Sequence, residues 1–267
     1  MHIFVLLKIC FKIVFVISLK SRRITNENAK DYKECGVEAS LHPLHRDPWL
    51  VLLEYYKREE LTVTRCGGTL VDSNNVVTAA HCVKSPKYSH IMVRLGEYNT
   101  ETEEDCIEEI CADKILRVKV GTMIVHPYYD GKENDIAVLK LGDRVNYTDF
   151  IRPICLPGEK FKSNATFFAS GWGEIPGLGV YSDVKKMLPL PHIPTKKCRK
   201  AYMSKLPERI ICAGGEEAMD TCRGDSGGPL TLIRERVELW GVTSLGNERC
   251  GEQAKPGLYT SVADYVD

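Results

Sequence analysis

Neither sign of charge is in surplus: 36 Lys and Arg balance 36 Asp and Glu in a chain of 267 residues. A protein that grips nucleic acid through its phosphates needs a basic excess, so nucleic acid is not an expected partner. The 11 cysteines contain no Cys-x-x-Cys pair. A zinc ribbon or a thioredoxin-like redox site is therefore not expected. No apolar run reaches the about 20 residues that a spanning helix needs, so no stable membrane span is expected. Stretches of 3.6-residue periodicity are short, and internal repeats and low-complexity tracts are missing. What is present is ordinary for a folded chain: 43% hydrophobic and 27% charged residues. That apolar content is too high for a disordered chain. One large domain or two smaller units can bury a core at this length.

The cysteines run from Cys10 to Cys250, many for a cytosolic enzyme. A disulfide framework in an oxidising compartment is the better reading. Residues 3–19 are apolar but broken by Lys8 and Lys12. Ile13 to Ile17 resembles the apolar core of a signal peptide, with Val16-Ile17-Ser18 offering smallish residues for cleavage. A cleaved leader over residues 1–18 is the preferred reading; an uncleaved anchor and a misassigned start codon are the alternatives. Losing the leader removes Cys10 and leaves an even number of cysteines. Two sequons, at Asn146 and Asn164, agree with export and are candidate glycan sites. A secreted, extracellular protein is expected.

From residue 48 onward the chain reads as short β segments separated by turns. Trp49–Tyr56, Cys66–Val71, Val76–Ala80, Ile91–Leu95, Ile115–Val125 and Ile136–Leu141 form one set. Phe167–Trp172, Val184–Leu190, Ile210–Ala213, Leu230–Ile233, Val237–Thr243 and Leu258–Val262 form another. Gly and Pro punctuate residues 142–164 between them, and Thr195–Met203 is the best short helix. The acidic run Glu101–Glu109 reads as a solvated loop. Six strands, a connector and six more predict an all-β fold of two packed six-stranded antiparallel barrels.

Gly224-Asp225-Ser226-Gly227-Gly228 is the first sharp chemical signal. Glycines around a serine let a substrate approach the backbone and its N–H groups. The pattern also fits the nucleophile elbow of α/β-hydrolases, whose general base follows the serine. Every histidine here precedes Ser226, and no βαβ rhythm is visible, so that class is set aside. His81 ends an apolar strand beside Cys82, a place where an imidazole can be held rigidly. Asp135 opens the buried run Ile136–Leu141. Taken singly, each reads as a structural residue; the order His, Asp, Ser makes them a candidate catalytic set.

Thr78-Ala79-Ala80-His81-Cys82, Asn134-Asp135-Ile136-Ala137-Val138-Leu139-Lys140-Leu141 and Gly224-Asp225-Ser226-Gly227-Gly228-Pro229 together resemble the chymotrypsin/trypsin-like serine proteases. The likeness runs from about Pro48 to Asp267, so residues 48–267 are taken as the protease domain and 19–47 as a light-chain-like segment with a degenerate activation region. The resemblance implies Ser226 as nucleophile, His81 as general base and acid, and Asp135 as the group that orients the imidazole. It implies an oxyanion hole from the N–H groups of Gly224 and Ser226, and Ser244 near Asp135 and the substrate backbone. It places Asp220 at the base of the specificity pocket with Gly246 and Gly257 in its walls, which implies cleavage after Arg or Lys. It pairs Cys66 with Cys82, Cys198 with Cys212, Cys222 with Cys250 and Cys35 with Cys155. Cys106 and Cys111 are close enough for a local bridge. That loop, Leu95–Thr100 and Tyr147–Pro153 resemble arthropod clip-domain proteases of immune and developmental cascades, although no clip domain is visible. Glu97 and Asn99 fall where some relatives bind calcium, the one candidate cofactor; no other metal or cofactor is expected.

The chain departs from the family in four places. Such proteases are activated by a cut that frees an N-terminal Ile or Val, whose ammonium pairs with the acid before the nucleophile, here Asp225. No Ile-Val-Gly-Gly-like run precedes Pro48-Trp49, and Cys35 lies only 13 residues from Pro48. Arg23-Ile24 is a poor substitute, being too far away with Cys35 between. The closing C-terminal helix is missing, the chain stopping at Tyr265-Val266-Asp267. Leu245 replaces an aromatic of the cleft, and Arg223 adds a positive charge at the pocket rim. The expected function is a secreted serine endopeptidase working through an acyl-enzyme, a monomer acting on protein substrates and met by a serpin-type inhibitor. The alternative is a catalytically silent homologue that binds or regulates, and a gene model lacking an exon would also explain the missing activation motif.

Overall fold

The computed structural model describes residues 35–266 except 85–87, 159–160, 162–163, 203–204 and 247–248, and leaves out the side chains of Val63 and Thr64. The expected leader, Cys10 and the Arg23-Ile24 step lie outside the described residues. In chain order the strands are β1 (Leu50–Lys57), β2 (Glu60–Asp72), β3 (Asn75–Thr78), β4 (His90–Leu95), β5 (Cys106–Ile107), β6 (Ile110–Cys111), β7 (Leu116–Val125) and β8 (Ala137–Leu141). Then come β9 (Thr166–Gly171), β10 (Lys186–Ile193), β11 (Ile210–Ala213), β12 (Pro229–Ile233), β13 (Val237–Leu245) and β14 (Gly257–Ser261). The strands β1-β2-β3-β8-β7-β4 close one barrel and β10-β11-β14-β13-β12-β9 close another. Every pairing is antiparallel. These are the two six-stranded antiparallel barrels that the strand count predicts, in the chymotrypsin-like arrangement that the resemblance implies.

Local chemistry explains the tight turns. Lys57 pairs with Glu60, so β1 and β2 are joined by Arg58-Glu59, both at positive φ (51° and 68°). That is the turn whose twist matches paired strands. Asp72 pairs with Asn75 across the next turn. Its Oδ1 accepts the Asn74 N–H at 2.7 Å, an Asx turn in the expected cluster. The strand expected to reach Ala80 stops at Thr78 instead, and Ala80–Val83 forms the one-turn helix α1. The expected helix from Thr195 is α2 (Thr195–Ala201).

Two main apolar clusters fill the fold, and the first also takes in Val237, Leu239 and Val242 of β13 across the seam. Trp49, Leu53, Leu70, Val76 and Leu139 belong to the first, and Phe167, Leu190, Leu230, Trp240 and Tyr259 to the second. Each such side chain contributes about 1.5–3 kcal/mol on burial. The connector crosses between the halves. Ile154 N–H donates to Leu70 O at 2.9 Å in one barrel, and Leu239 N–H of the other donates to Cys155 O at 2.8 Å.

The acidic loop is less solvated than its composition predicts. β5 and β6 form a hairpin closed by Cys106–Cys111, and Asp105 is buried. Its carboxylate accepts the Tyr98 and Asn99 N–H groups at 3.0 and 3.1 Å, which turns it inward. Burial follows from satisfying the charge with backbone donors.

After Cys35 the chain lies on the body as a strap. Cys35 is bonded to Cys155, and Val237 N–H donates to Gly36 O at 2.9 Å. Arg46 pairs with Glu38 at 2.8 Å. Ser170 Oγ of β9 donates to buried Asp47 at 2.6 Å, and Lys185 Nζ donates to Arg46 O at 2.6 Å. The chain thus reaches Pro48 directly, with no Ile-Val-Gly-Gly-like run. Among the described residues the chain closes on a 3-10 turn, Val262–Tyr265. No helix among them is long and apolar enough to cross a membrane.

Candidate active site

The site lies on the seam between the barrels. His81 sits in α1, just past β3, where the Cys66–Cys82 disulfide ties the helix back to β2. Asp135 precedes β8, the strand that pairs with β3. Adjacent strands therefore deliver the two side chains together. His81 Nδ1 lies 2.7 Å from Asp135 Oδ2, and His81 N–H donates to Oδ1 at 2.9 Å. This double contact fixes both the ring and its carboxylate. A proton on Nδ1 leaves Nε2 as the acceptor that a general base requires.

The second barrel completes the carboxylate's surroundings. Ser244 Oγ of β13 donates to Asp135 Oδ2 at 2.5 Å, and Thr260 Oγ1 of β14 donates to Asp135 O at 2.9 Å. Burial alone would raise the Asp135 pKa. The His81 hydrogen bonds and charge, with the Ser244 hydroxyl, outweigh it and hold the carboxyl below its usual range. Thr260 escaped sequence reasoning, because a threonine in a buried strand looks like any other β-branched residue.

Ser226 lies in a loop wedged between the halves. Gly67 N–H of β2 donates to Ser226 O at 2.7 Å, and Gly227 N–H donates to Thr243 O of β13 at 2.7 Å. Gly227 has φ 79°, and a Cβ there would stand 2.2 Å from Thr78 Oγ1. Only glycine lets the loop close against β3. Cys82 Sγ lies 3.5 Å from Ser226 O and 3.7 Å from His81 Nε2, so one sulfur touches both serine backbone and imidazole. Among the described residues Ser226 Oγ has no hydrogen-bond partner, and none joins it to the imidazole. Catalytic hydrogen bonds commonly tighten only once substrate is bound.

The N–H groups of Gly224 and Ser226 have no backbone acceptor among the described residues, whereas those of Asp225, Gly227 and Gly228 between and after them do. Unpaired donors flanking a serine are what a developing oxyanion needs. The Asp225 carboxylate enters a slot between Gly171 and Gly173, where a Cβ would stand 2.1 or 2.2 Å from its oxygens. It accepts the Gly173 and Cys222 N–H groups at 2.8 and 2.9 Å. Burial raises its pKa to about 6.

Asp220 is buried, and its Oδ1 has no hydrogen-bond partner among the described residues. Burial raises its pKa to about 6 against two backbone hydrogen bonds. A Cβ on Gly257 would meet that oxygen at 2.8 Å, so the residue must be small to leave the carboxylate open. Gly246 has nothing within 4 Å of its Cβ direction, consistent with an open wall. Such a slot favours a cation strongly.

Cys35–Cys155, Cys66–Cys82, Cys198–Cys212 and Cys222–Cys250 pair as the resemblance implies, and Cys106–Cys111 forms the local bridge that their closeness in sequence allows. Asn146 and Asn164 are both exposed. Glu97 is buried against Arg94, Asp105 is occupied by backbone donors, and Asn99 Oδ1 accepts the Glu101 N–H at 3.2 Å. Both Glu97 carboxylate oxygens lack a hydrogen-bond partner among the described residues.

A family model described as Trypsin matches residues 36–267. CLIP domain-containing serine protease B9 of Anopheles gambiae is 38% identical over 256 residues, covering 87% of this chain and 63% of that protein. CLIP domain-containing serine protease B8 of the same organism is 34% identical over 281 residues, covering 91% and 69%. Serine protease ea of Drosophila melanogaster is 39% identical over 246 residues, covering 82% and 62%. The chain thus spans 62–69% of the length of these three curated relatives. With its two barrels and seam established, the chain belongs to the trypsin family of serine proteases and is similar to arthropod clip-domain members of it.

Proposed function

We propose that the protein is a secreted endopeptidase that hydrolyses peptide bonds after Arg or Lys. One observation carries this reading: the locked His81–Asp135 pair and the Ser226 backbone both touch the Cys82 sulfur, beside two N–H groups with no acceptor among the described residues. Asp220 would receive the substrate's guanidinium or ammonium. Ser226 Oγ attacks the scissile carbonyl as His81 Nε2 takes its proton. The oxyanion that forms is held by the Gly224 and Ser226 N–H groups. Collapse breaks the C–N bond, and the imidazolium gives its proton to the leaving amine. Water, deprotonated by His81, then hydrolyses the acyl-enzyme. Asp135 stabilises the imidazolium through both steps. Relatives named Phenoloxidase-activating enzyme 1 and Melanization protease 1 favour a place in a defence cascade. There it would act on a protein substrate as a monomer and be restrained by a serpin-type inhibitor.

Release of coumarin from an Arg-aminomethylcoumarin amide tests the reading. Turnover by the folded chain that Ser226→Ala abolishes supports it. Equal rates for the two proteins overturn it.

A second reading, a silent homologue that binds or regulates, is favoured by Asp225. The family's activation supplies an N-terminal ammonium to that acid, and no Ile-Val-Gly-Gly-like run precedes Pro48-Trp49 to provide one. A fluorophosphonate that labels activated serine separates the two. Fast labelling of Ser226 supports the enzyme, and none supports the silent homologue.

A further inference from the structure

Asp220 and its glycine walls occupy the second barrel, so the residue before the cut would be held on that side of Ser226. The chain after the cut must then cross the seam toward the first barrel, where Gly67 of β2 passes against Ser226 O at 2.7 Å. Two residues before Gly67 stands Arg65. Its guanidinium carbon lies 4.9 Å from the centre of the Tyr181 ring, and Nη1 donates to Ser182 O at 3.5 Å. The Tyr181 ring in turn packs on Gly224: a Cβ there would stand 2.8 Å from Tyr181 Cε1. A continuous path therefore runs from an oxyanion donor, over an aromatic face, to a guanidinium. Arg223, beside Gly224, is exposed, and its carbonyl accepts Glu174 N–H at 2.7 Å, tying it to the same loop.

Neither arginine has an ion-pair partner among the described residues. Other arginines are spoken for: Arg94 faces Glu54 and Glu97, and Arg117 faces Glu54 and Glu103. Stacking on Tyr181 holds Arg65 in place, so little side-chain freedom is lost when it meets a carboxylate.

We propose that Arg65, stacked on Tyr181 and supported by Arg223, forms a leaving-side subsite that selects substrates with Asp or Glu one or two residues after the cleaved bond. The inference rests on the protease reading above and deepens it, because it adds the sequence that must follow the cut. The pocket at Asp220 and this subsite carry opposite charge, so a basic-then-acidic junction satisfies both.

Quenched peptides test this, identical through an Arg at the cut and carrying Glu, Gln or Lys at the next two positions. The expected kcat/KM order is Glu, Gln, Lys, with Glu over Gln by about three- to tenfold at low salt and less at high salt. In Arg65→Gln the ratio of Glu to Gln should fall to about one, whatever the absolute rate. Equal cleavage of the Glu and Gln peptides by the unaltered protein overturns the proposal. So does a preference that survives in an Arg65→Gln/Arg223→Gln double variant. The coumarin amide has no residue beyond the cut, so failure to cleave it marks failure of the protease reading instead. In that event the anisotropy of labelled Glu and Gln peptides on Ser226→Ala decides: tighter binding of Glu supports the subsite, and equal binding overturns it.

Discussion

Asp135 on the seam and Asp220 in the pocket are both 3% exposed, yet their carboxyl groups are held in opposite ways. Asp135 is surrounded by donors from both barrels, and its pKa lies below the usual range. Asp220 keeps a bare oxygen and is pushed up to about 6. Burial is the same first cause in both; the donors present decide which way it ends. Under the proposed function, a carboxylate that steers an imidazole is satisfied in advance, and one that receives a cation keeps an oxygen open for it.

Four measurements would break or sharpen this contrast. Asp135→Asn should keep the fold but lower kcat by on the order of 10⁴-fold, since the amide no longer enforces the imidazole tautomer. Stopped-time assays with the coumarin amide would show it, and a loss under tenfold would deny Asp135 its orienting part. Asp220→Asn should lower kcat/KM for Arg substrates by about 10²–10³-fold through the lost charge pair. Replacing Arg by an uncharged residue in the substrate should shrink that penalty, which a pair of peptides can check. Ser244→Ala removes one of several donors to Asp135 and should cost only about tenfold in kcat.

The smallest expected effect is on stability, and here the signs oppose. Asp135 has a depressed pKa, so its stabilisation is present above its ordinary 3.8 and fades as pH falls through its lower folded value. Asp135→Asn should therefore melt lower at pH 7 and approach the unaltered protein under strong acid. Asp220 has a raised pKa, so its favourable contribution exists at about pH 4 and is lost as pH rises through about 6. Asp220→Asn should melt at or above the unaltered protein at pH 8, by about 1–3 kcal/mol, with the gap closing toward pH 4. Parallel pH slopes for the two variants would refute the comparison.

Much of this was legible before any coordinates. The twelve barrel strands follow from apolar runs punctuated by turn residues, and both edges of the Asp72–Asn75 turn fall where its side chains predict. The motifs around His81, Asp135 and Ser226 pointed to residues that the fold gathers on one seam. Less legible was anything requiring a partner from afar. Glu101–Glu109 reads as solvated because composition cannot show that Asp105 meets the Tyr98 and Asn99 amides. The strap's anchorage is likewise invisible, because Asp47 and Ser170 are 123 residues apart in the chain. Val76–Ala80 is apolar but for Thr78 and shows no alternation, so periodicity does not tell where β3 ends and α1 begins.

The bonds from Ser244 and Thr260 to Asp135 have a mechanical side. They make this acid a pin between the two barrels, alongside the Gly67–Ser226 bond and the connector. Warming that merely loosens one body against the other would let the pin swing and carry the imidazole with it. Catalytic power should therefore fade at temperatures where each β cylinder, with its sulfur staples, still stands intact.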